Sequence, residues 1–548
     1  MGKFSRPLVF SGHFFPGLFS RDRERRPACD MFTAMYSRQL ALLAAACALL
    51  ATEPNPATRR WWAHVTALAN DALQGRDTGS EGYRRAAAYV VAQFERAGLH
   101  PAGEHGFYQT VPLHALRFRA DQSTAELAGA NGSRKLQWLR QVTVAARPGL
   151  PESIDAPLVF AGSGEAPEGI VSQGAILVQL GGGRGGRGGR GGGAGRGPTL
   201  GTLSIDSLGG PEPPRWPVQY VVQMTIAGAG APPSGSAGPS SGRGNGGPPL
   251  ALRFNPEFAD MLFEGTGHTY KELLSLRDQQ KPLPWFAIPA RLHAHLSWES
   301  GDLQSDNILA VLPGADPVLA KEYVVVSAHL DGYGIGEPWG DDNIYNGAFD
   351  DAAYVATLID MAERLHESGK KLKRSLLFCV VTGEEKGLLG SRYFTAHPTI
   401  PKQQMVADIN LDQLRPIFPL HTLTMLAVDD STLGDTAKSV AGSMDIKIQP
   451  DPEPERNLLR RSDHYSFLQI GVPATGFIFG YVPGTSDESA YREWYAKRYH
   501  TPLDDLNQPW VPEAAAKFND FFNKLVATIA DAAERPRWKP GSPFANGN

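Results

Sequence analysis

Val324-Val325-Val326-Ser327-Ala328-His329-Leu330-Asp331 is an apolar run that ends in an imidazole and a carboxylate. That is the order expected when parallel strands carry chemically active side chains to the carboxyl edge of a sheet. Gly347-Ala348-Phe349-Asp350-Asp351 and Thr382-Gly383-Glu384-Glu385 repeat the arrangement further along, and Asn410-Leu411-Asp412 and Tyr499-His500-Thr501-Pro502 complete the set. Together these segments offer two histidines, two aspartates and a glutamate to a pair of hard-to-borderline cations, with one glutamate left over to handle protons. Taken singly, each has a blander reading. A His-X-Asp at a strand end is often only a hydrogen-bonded pair, and adjacent glutamates are usually a solvated turn.

Around this stretch, apolar strands alternate with helical segments: residues 306–312, 323–328, 352–366, 375–382 and 472–479. Such alternation predicts an α/β fold, a three-layer sandwich on a mixed, largely parallel central sheet. Residues 512–534 repeat apolar side chains at helical spacing and are expected to pack back on that sheet. Upstream, residues 61–99 read as helix, broken by a turn at Gly75-Arg76-Asp77-Thr78-Gly79 and closed by Gly98. From Leu113 the pattern changes to short β-like runs such as residues 157–162 and 174–180.

These dispersed motifs, in this order, resemble the co-catalytic di-zinc exopeptidase family. The family includes bacterial leucyl aminopeptidases, glutamate carboxypeptidase II and, as a one-zinc relative, glutaminyl cyclase. The resemblance runs from about residue 61 to 532, interrupted at 113–289, where it implies a β-rich, protease-associated-like insert. It implies two Zn2+ per chain, the first on His329 and Asp412, the second on Glu385 and His500, with Asp350 between them. Glu384 would be the general base, and Tyr499 a donor to the tetrahedral oxyanion. Asp331 would hydrogen-bond His329 and fix its tautomer, and Asp504 would do the same for His500. Ser462-Asp463-His464 matches a loop that shapes the substrate pocket, with His464 supporting rather than ligating. The chain departs from the family pattern at Ala353-Tyr354, Gln413 and Arg415-Pro416, positions that surround the expected ligands without supplying them.

The resulting division is residues 1–51 as N-terminal extension and signal peptide, 52–112 as the helical start of the peptidase domain, and 113–289 as the insert. Residues 290–535 would be the catalytic domain and 536–548 a tail. A chain of 548 residues with 42% apolar and 20% charged side chains fits this multidomain, globular plan. Residues 40–50 form an apolar stretch of eleven, too short to span a bilayer and suited to a signal-peptide core, which places the protein outside the cytoplasm, secreted or periplasmic. Thirty-nine residues precede it, seven of them Lys or Arg, so translation could begin at Met31 or Met35. Cys47 raises a lipid anchor as an alternative, although Ala44 stands where leucine is usual. Removing residues 1–50 moves the formal charge from −4 to −8, which gives no electrostatic reason to expect nucleic acid as a partner.

Only Cys379 would remain of three cysteines, a small buried hydrophobe with no partner for a disulfide. Residues 181–198, with twelve glycines and four arginines, and residues 234–249, rich in Gly, Pro and Ser, read as loops. The first is expected to tolerate shortening to a few residues. The function expected is an aminopeptidase acting on peptides. The alternatives are a carboxypeptidase or dipeptidase, for which Arg415, Arg460 and Arg461 could hold a free carboxylate, a glutaminyl cyclase, or a non-catalytic binding protein on the same fold.

Overall fold

The computed structural model describes residues 55–545 except 130–131, 182–198, 206–221, 229–249 and 413. The signal peptide, the alternative starts, Cys47 and almost all of both glycine-rich segments lie outside the described residues, as does Gln413. The described residues form one compact unit. Among the described residues no helix is long and apolar enough to cross a membrane.

Two large sheets organise the chain. The first has ten strands. Its centre is parallel, Met405–Leu411 and Ser375–Val381 flanking Tyr323–His329, with Ala474–Phe479 parallel beyond Met405–Leu411. Antiparallel strands extend it on both sides, including the long pair Tyr108–Phe118 and Trp298–Leu312. Successive residues of the central strands face opposite layers. Val324, Val326, Leu376 and Phe378 join one apolar cluster with helices Pro56–Leu68, Ala353–Ser368 and Pro512–Asp531. Val325, Leu377 and Cys379 join another with Phe394 and Phe467, from helices Leu389–Ala396 and His464–Gln469. This is the three-layer α/β sandwich with a mixed sheet that the sequence predicts.

The second sheet has eight strands and carries its own core around Phe160, Ile176, Leu203 and Leu252. The two sheets are stitched together by chain that runs through both regions. Strand Tyr108–Phe118 continues across position 112/113, and Val222–Ile226, well inside residues 113–289, pairs with it at the edge of the ten-stranded sheet.

The helical start of the chain is set by local chemistry. Asn55 caps Pro56–Leu68 by accepting from the Thr58 amide, with proline in the first turn where its missing N–H costs nothing. Ser80 caps Glu81–Arg96 through the Tyr83 amide. Between them, Gly75 has a φ of 66°, and a side chain there would meet the Tyr345 and Gly334 carbonyl oxygens at 2.5 and 2.6 Å. The turn can therefore lie directly against the segment that follows His329.

Candidate metal centre

Strand Tyr323–His329 delivers His329 to the carboxyl edge of the parallel strands, and Asp412 follows the end of Met405–Leu411. Glu384 and Glu385 follow Ser375–Val381 after a turn at Gly383, whose φ is 66°. Asp350 comes from the loop before helix Ala353–Ser368, and Gly347 lets that loop fold back, because a Cβ there would lie 2.2 Å from the Asp350 carbonyl oxygen. His500 holds a φ of 55°, a left-handed conformation that costs a residue with a side chain roughly 1–2 kcal/mol.

The five expected ligands fall into two triads that share one carboxylate. His329, Asp350 and Asp412 present donor atoms within 4.8 Å of one another, and so do Asp350, Glu385 and His500. Asp350 faces both ways, with Oδ1 3.2 Å from His329 Nε2 and Oδ2 2.9 Å from His500 Nε2. Asp412 Oδ1 stands 3.8 Å from His329 Nε2, and Glu385 Oε1 stands 3.4 Å from His500 Nε2. Glu384 leans over the first triad, its Oε2 4.0 Å from His329 Nε2.

The donor set fits divalent cations. His329 Nε2, Asp412 Oδ1 and Glu385 Oε1 are buried and make no hydrogen bond, an arrangement rarely tolerated unless another partner is intended. Acids also outnumber bases. Burial, with Asp412 and Glu385 nearby, pushes the Glu384 carboxyl well up, and burial beside Asp350 does the same to Glu385. Burial alone would raise Asp350 as well, but His329 and His500 hold it far below the usual carboxylate range. A cation in each triad would relieve both the surplus of negative charge and the idle donors.

The supporting residues differ in detail from the sequence expectation. The His329 Nδ1 lies 3.0 Å from the backbone carbonyl of Asp331 and 3.8 Å from its carboxylate, so the carbonyl is the nearer orienting partner. The Asp331 carboxylate instead accepts from the amides of Glu384 and Glu385, at 3.1 and 3.4 Å, and from Thr78 Oγ1 at 3.0 Å. It thus ties the glutamate turn to the strand end that holds His329. Asp504 likewise serves Asp350 rather than His500, accepting from the Phe349 and Asp350 amides at 3.0 and 3.1 Å; burial raises its carboxyl to about 7.

Tyr499 packs its ring 3.8 Å from that of His500 and 4.8 Å from that of Tyr495. Ser462 donates to Asp412 Oδ2 at 2.6 Å, leaving Oδ1 to face the triad. His464 is fully buried, and burial lowers it to about 4, so it is neutral and stands apart from both triads.

Sequence reasoning passed over two contributors. Tyr333 donates its hydroxyl to Glu385 and lies 3.4 Å from His500 Nε2. Arg76, fully buried, donates to the carbonyls of Leu68, Leu330, Asn346 and Gly347 at 2.6–3.1 Å. The signal was present in both places as charged or aromatic residues set between glycines, Gly75-Arg76-Asp77-Thr78-Gly79 and Gly332-Tyr333-Gly334, where close backbone approach is expected.

The three-layer α/β sandwich thus carries two candidate metal-binding triads at the carboxyl ends of its parallel strands. Residues 307–526 match the profile described as Peptidase family M28, so the resemblance drawn from the sequence holds over the part of the chain that carries the site. A solved aminopeptidase from Aneurinibacillus sp. strain AM-1 superposes with a TM-score of 0.53 over 87% of this chain and 95% of its own, at 17% identity. A zinc aminopeptidase from Bacillus subtilis gives 0.52 over 88% and 98%, at 15% identity. These two establish the fold. Leupeptin-inactivating enzyme 1 of Streptomyces exfoliatus is 24% identical over 249 residues, 44% of this chain; the match spans about half of that protein's length, 51%.

Proposed function

We propose that the protein is a metallo-exopeptidase, specifically an aminopeptidase that removes the N-terminal residue of peptides using two zinc ions and Glu384 as general base. The observation that carries this reading is the shared Asp350, whose two oxygens face two separate histidine-carboxylate sets. Zinc is favoured by the mixed nitrogen and oxygen donors and by the zinc named for the Bacillus subtilis protein. Ions held there would supply Lewis acidity, bringing the pKa of water toward neutrality and polarising a peptide carbonyl. Glu384, within the site and not needed as a ligand, would take a proton from the attacking water and return it to the leaving amine. Tyr499, beside His500, is proposed to donate to the oxyanion. An extracytoplasmic location rests on residues 40–50 alone.

Of the arginines that would favour a carboxypeptidase, Arg415 is fully buried and stacks on Tyr495, Tyr491 and Trp494 at 4.3–5.2 Å, a setting that fixes a helix rather than one that greets a substrate. The test combines elemental analysis with a substrate panel. Purified protein is expected to hold two zinc ions per chain, to lose hydrolysis of aminoacyl chromogenic amides on chelation, and to regain it with zinc. Active protein with one ion or none would overturn the two-ion reading, and preference for N-blocked peptides with a free carboxylate would overturn the aminopeptidase assignment.

A further inference from the structure

Resting on the two-ion reading, we propose that Tyr333 is a positioning residue of the second triad: its hydroxyl binds one oxygen of Glu385, so that only the other faces His500 and Asp350. The phenol donates to Glu385 Oε2. Glu385 Oε1 is left buried, without a hydrogen bond, 3.4 Å from His500 Nε2. A carboxylate with both oxygens idle can rotate or chelate through either edge. One oxygen occupied by a fixed donor can be presented to a cation in a single way, which is what outer partners of metal ligands accomplish elsewhere.

The donor is fixed from every side. The Tyr333 ring lies 4.4 Å from the ring of His500, and the Lys386 ammonium stands 5.1 Å from its centre. Lys386 is itself anchored by Asp77 at 3.0 Å. Tyr333 opens the hairpin Gly334–Trp339 and Asp342–Tyr345, which is inserted between His329 and Asp350. Arg76 ties both ends of that insertion, Leu330 on one side and Asn346 and Gly347 on the other. At its base, a Cβ on Gly75 would meet the Gly334 carbonyl oxygen at 2.6 Å and the Gly334 Cα at 2.9 Å, so the hairpin and the 75–79 turn touch backbone to backbone. Other buried phenols in the same domain do something more ordinary: Tyr83 and Tyr354 donate to the main-chain carbonyls of Asp306 and Phe477. Tyr333 alone of these three spends its hydroxyl on an expected ligand.

The test is a calorimetric titration of metal-free protein with zinc, reading each binding step separately. Wild type is expected to take up two ions. Tyr333→Phe is expected to keep the step assigned to His329 and Asp412 and to weaken the other by roughly 10–100-fold, the usual effect of losing an outer hydrogen bond to a ligand. Tyr83→Phe, which also deletes a buried hydroxyl, should leave both steps unchanged, separating positioning from a general loss of packing. A Tyr333→Phe isotherm identical to wild type, or one weakened equally in both steps, overturns the inference. If Tyr333→Phe does not fold, Lys386→Met decides: it removes the cation that orients the ring and should weaken the same single step by at least threefold, and unchanged binding overturns the proposal. Wild-type protein binding fewer than two ions overturns the two-ion reading, and this inference with it. Two ions in wild type with an unaltered variant overturns this inference alone.

Discussion

Both large sheets contain parallel strands, but the residues at the carboxyl ends of those strands differ. In the ten-stranded sheet they are His329, the Glu384-Glu385 turn and Asp412. In the eight-stranded sheet Ser153–Phe160, Ile176–Leu180, Gly201–Ile205 and Leu250–Phe254 run parallel in that order and end in Phe160, Leu180, Ile205 and Phe254. Within the described residues 120–296, Thr143 and Ser172 are the buried polar side chains, whereas the ten-stranded region buries Asp331, Asp350, Asp351, Asp408, Asp463 and Asp504. The parallel edge offers a place for chemistry, and only the residues set there decide whether it is used. Among the described residues, the first sheet buries carboxylates around its strand ends, and the second buries almost only apolar side chains.

The sharpest way to break this contrast is at Glu384 and Glu385. Glu384→Gln should keep both ions and lower the rate by roughly 10²–10⁴-fold, the share of a positioned base. Glu385→Gln should instead lose zinc, by more than the roughly 10–100-fold of an outer-partner change. Metal content and turnover measured on both variants separate the roles, and exchanged phenotypes would reverse base and ligand.

Leu252→Ala makes the opposite change. Leu252 is 1% exposed in the core of the eight-stranded sheet. Its truncation should cost about 2–5 kcal/mol of stability, as core cavities do. Denaturant melts should register that loss, while turnover per folded molecule stays within about twofold of wild type. Altered kinetics in the folded variant would mean that the second sheet reaches the site.

How much of this could be read from the sequence follows from the same contrast. His329, Asp350, Glu385, Asp412 and His500 stand beside apolar runs or in short motifs, and a resemblance carries such local patterns across distant relatives. The partners of Asp331 and Asp504 are not legible, because a carboxylate two residues from a histidine, as in Asp331, or four, as in Asp504, can turn toward any nearby amide, and the choice is made by a turn closed through Thr78 or Phe349. Arg76 reads locally only as part of a turn, since its four carbonyl partners lie as far as 271 residues away in the chain. The strand Val222–Ile226 was hidden for a related reason: it leaves its neighbours in sequence to pair with Tyr108–Phe118, a long-range choice that no local period encodes.

The smallest effect is expected in the glycine–arginine segment, and here the fold changes what the sequence suggests. Leu180 pairs with Ile205 and Ile176 with Gly201, so the chain leaving Leu180 must return to the start of a parallel neighbour. That return covers about 13 Å along the strand, at about 3.3 Å per residue, besides the step sideways. Parallel neighbours need a crossover of about a dozen residues or more, so residues 181–200 cannot be cut to a few without unpairing Gly201–Ile205. Composition is a different matter from length. Replacing Arg184, Arg187, Arg190 and Arg196 by serine should leave stability within about 0.5 kcal/mol and turnover of small aminoacyl substrates within about twofold, as for surface changes. A version trimmed to four residues should instead lose the cooperative unfolding of the eight-stranded sheet, visible as protease cleavage within residues 120–296. A trimmed chain as stable as wild type would show that Ile176–Leu180 and Gly201–Ile205 are not parallel neighbours, and the second sheet would have to be rebuilt with a hairpin between them.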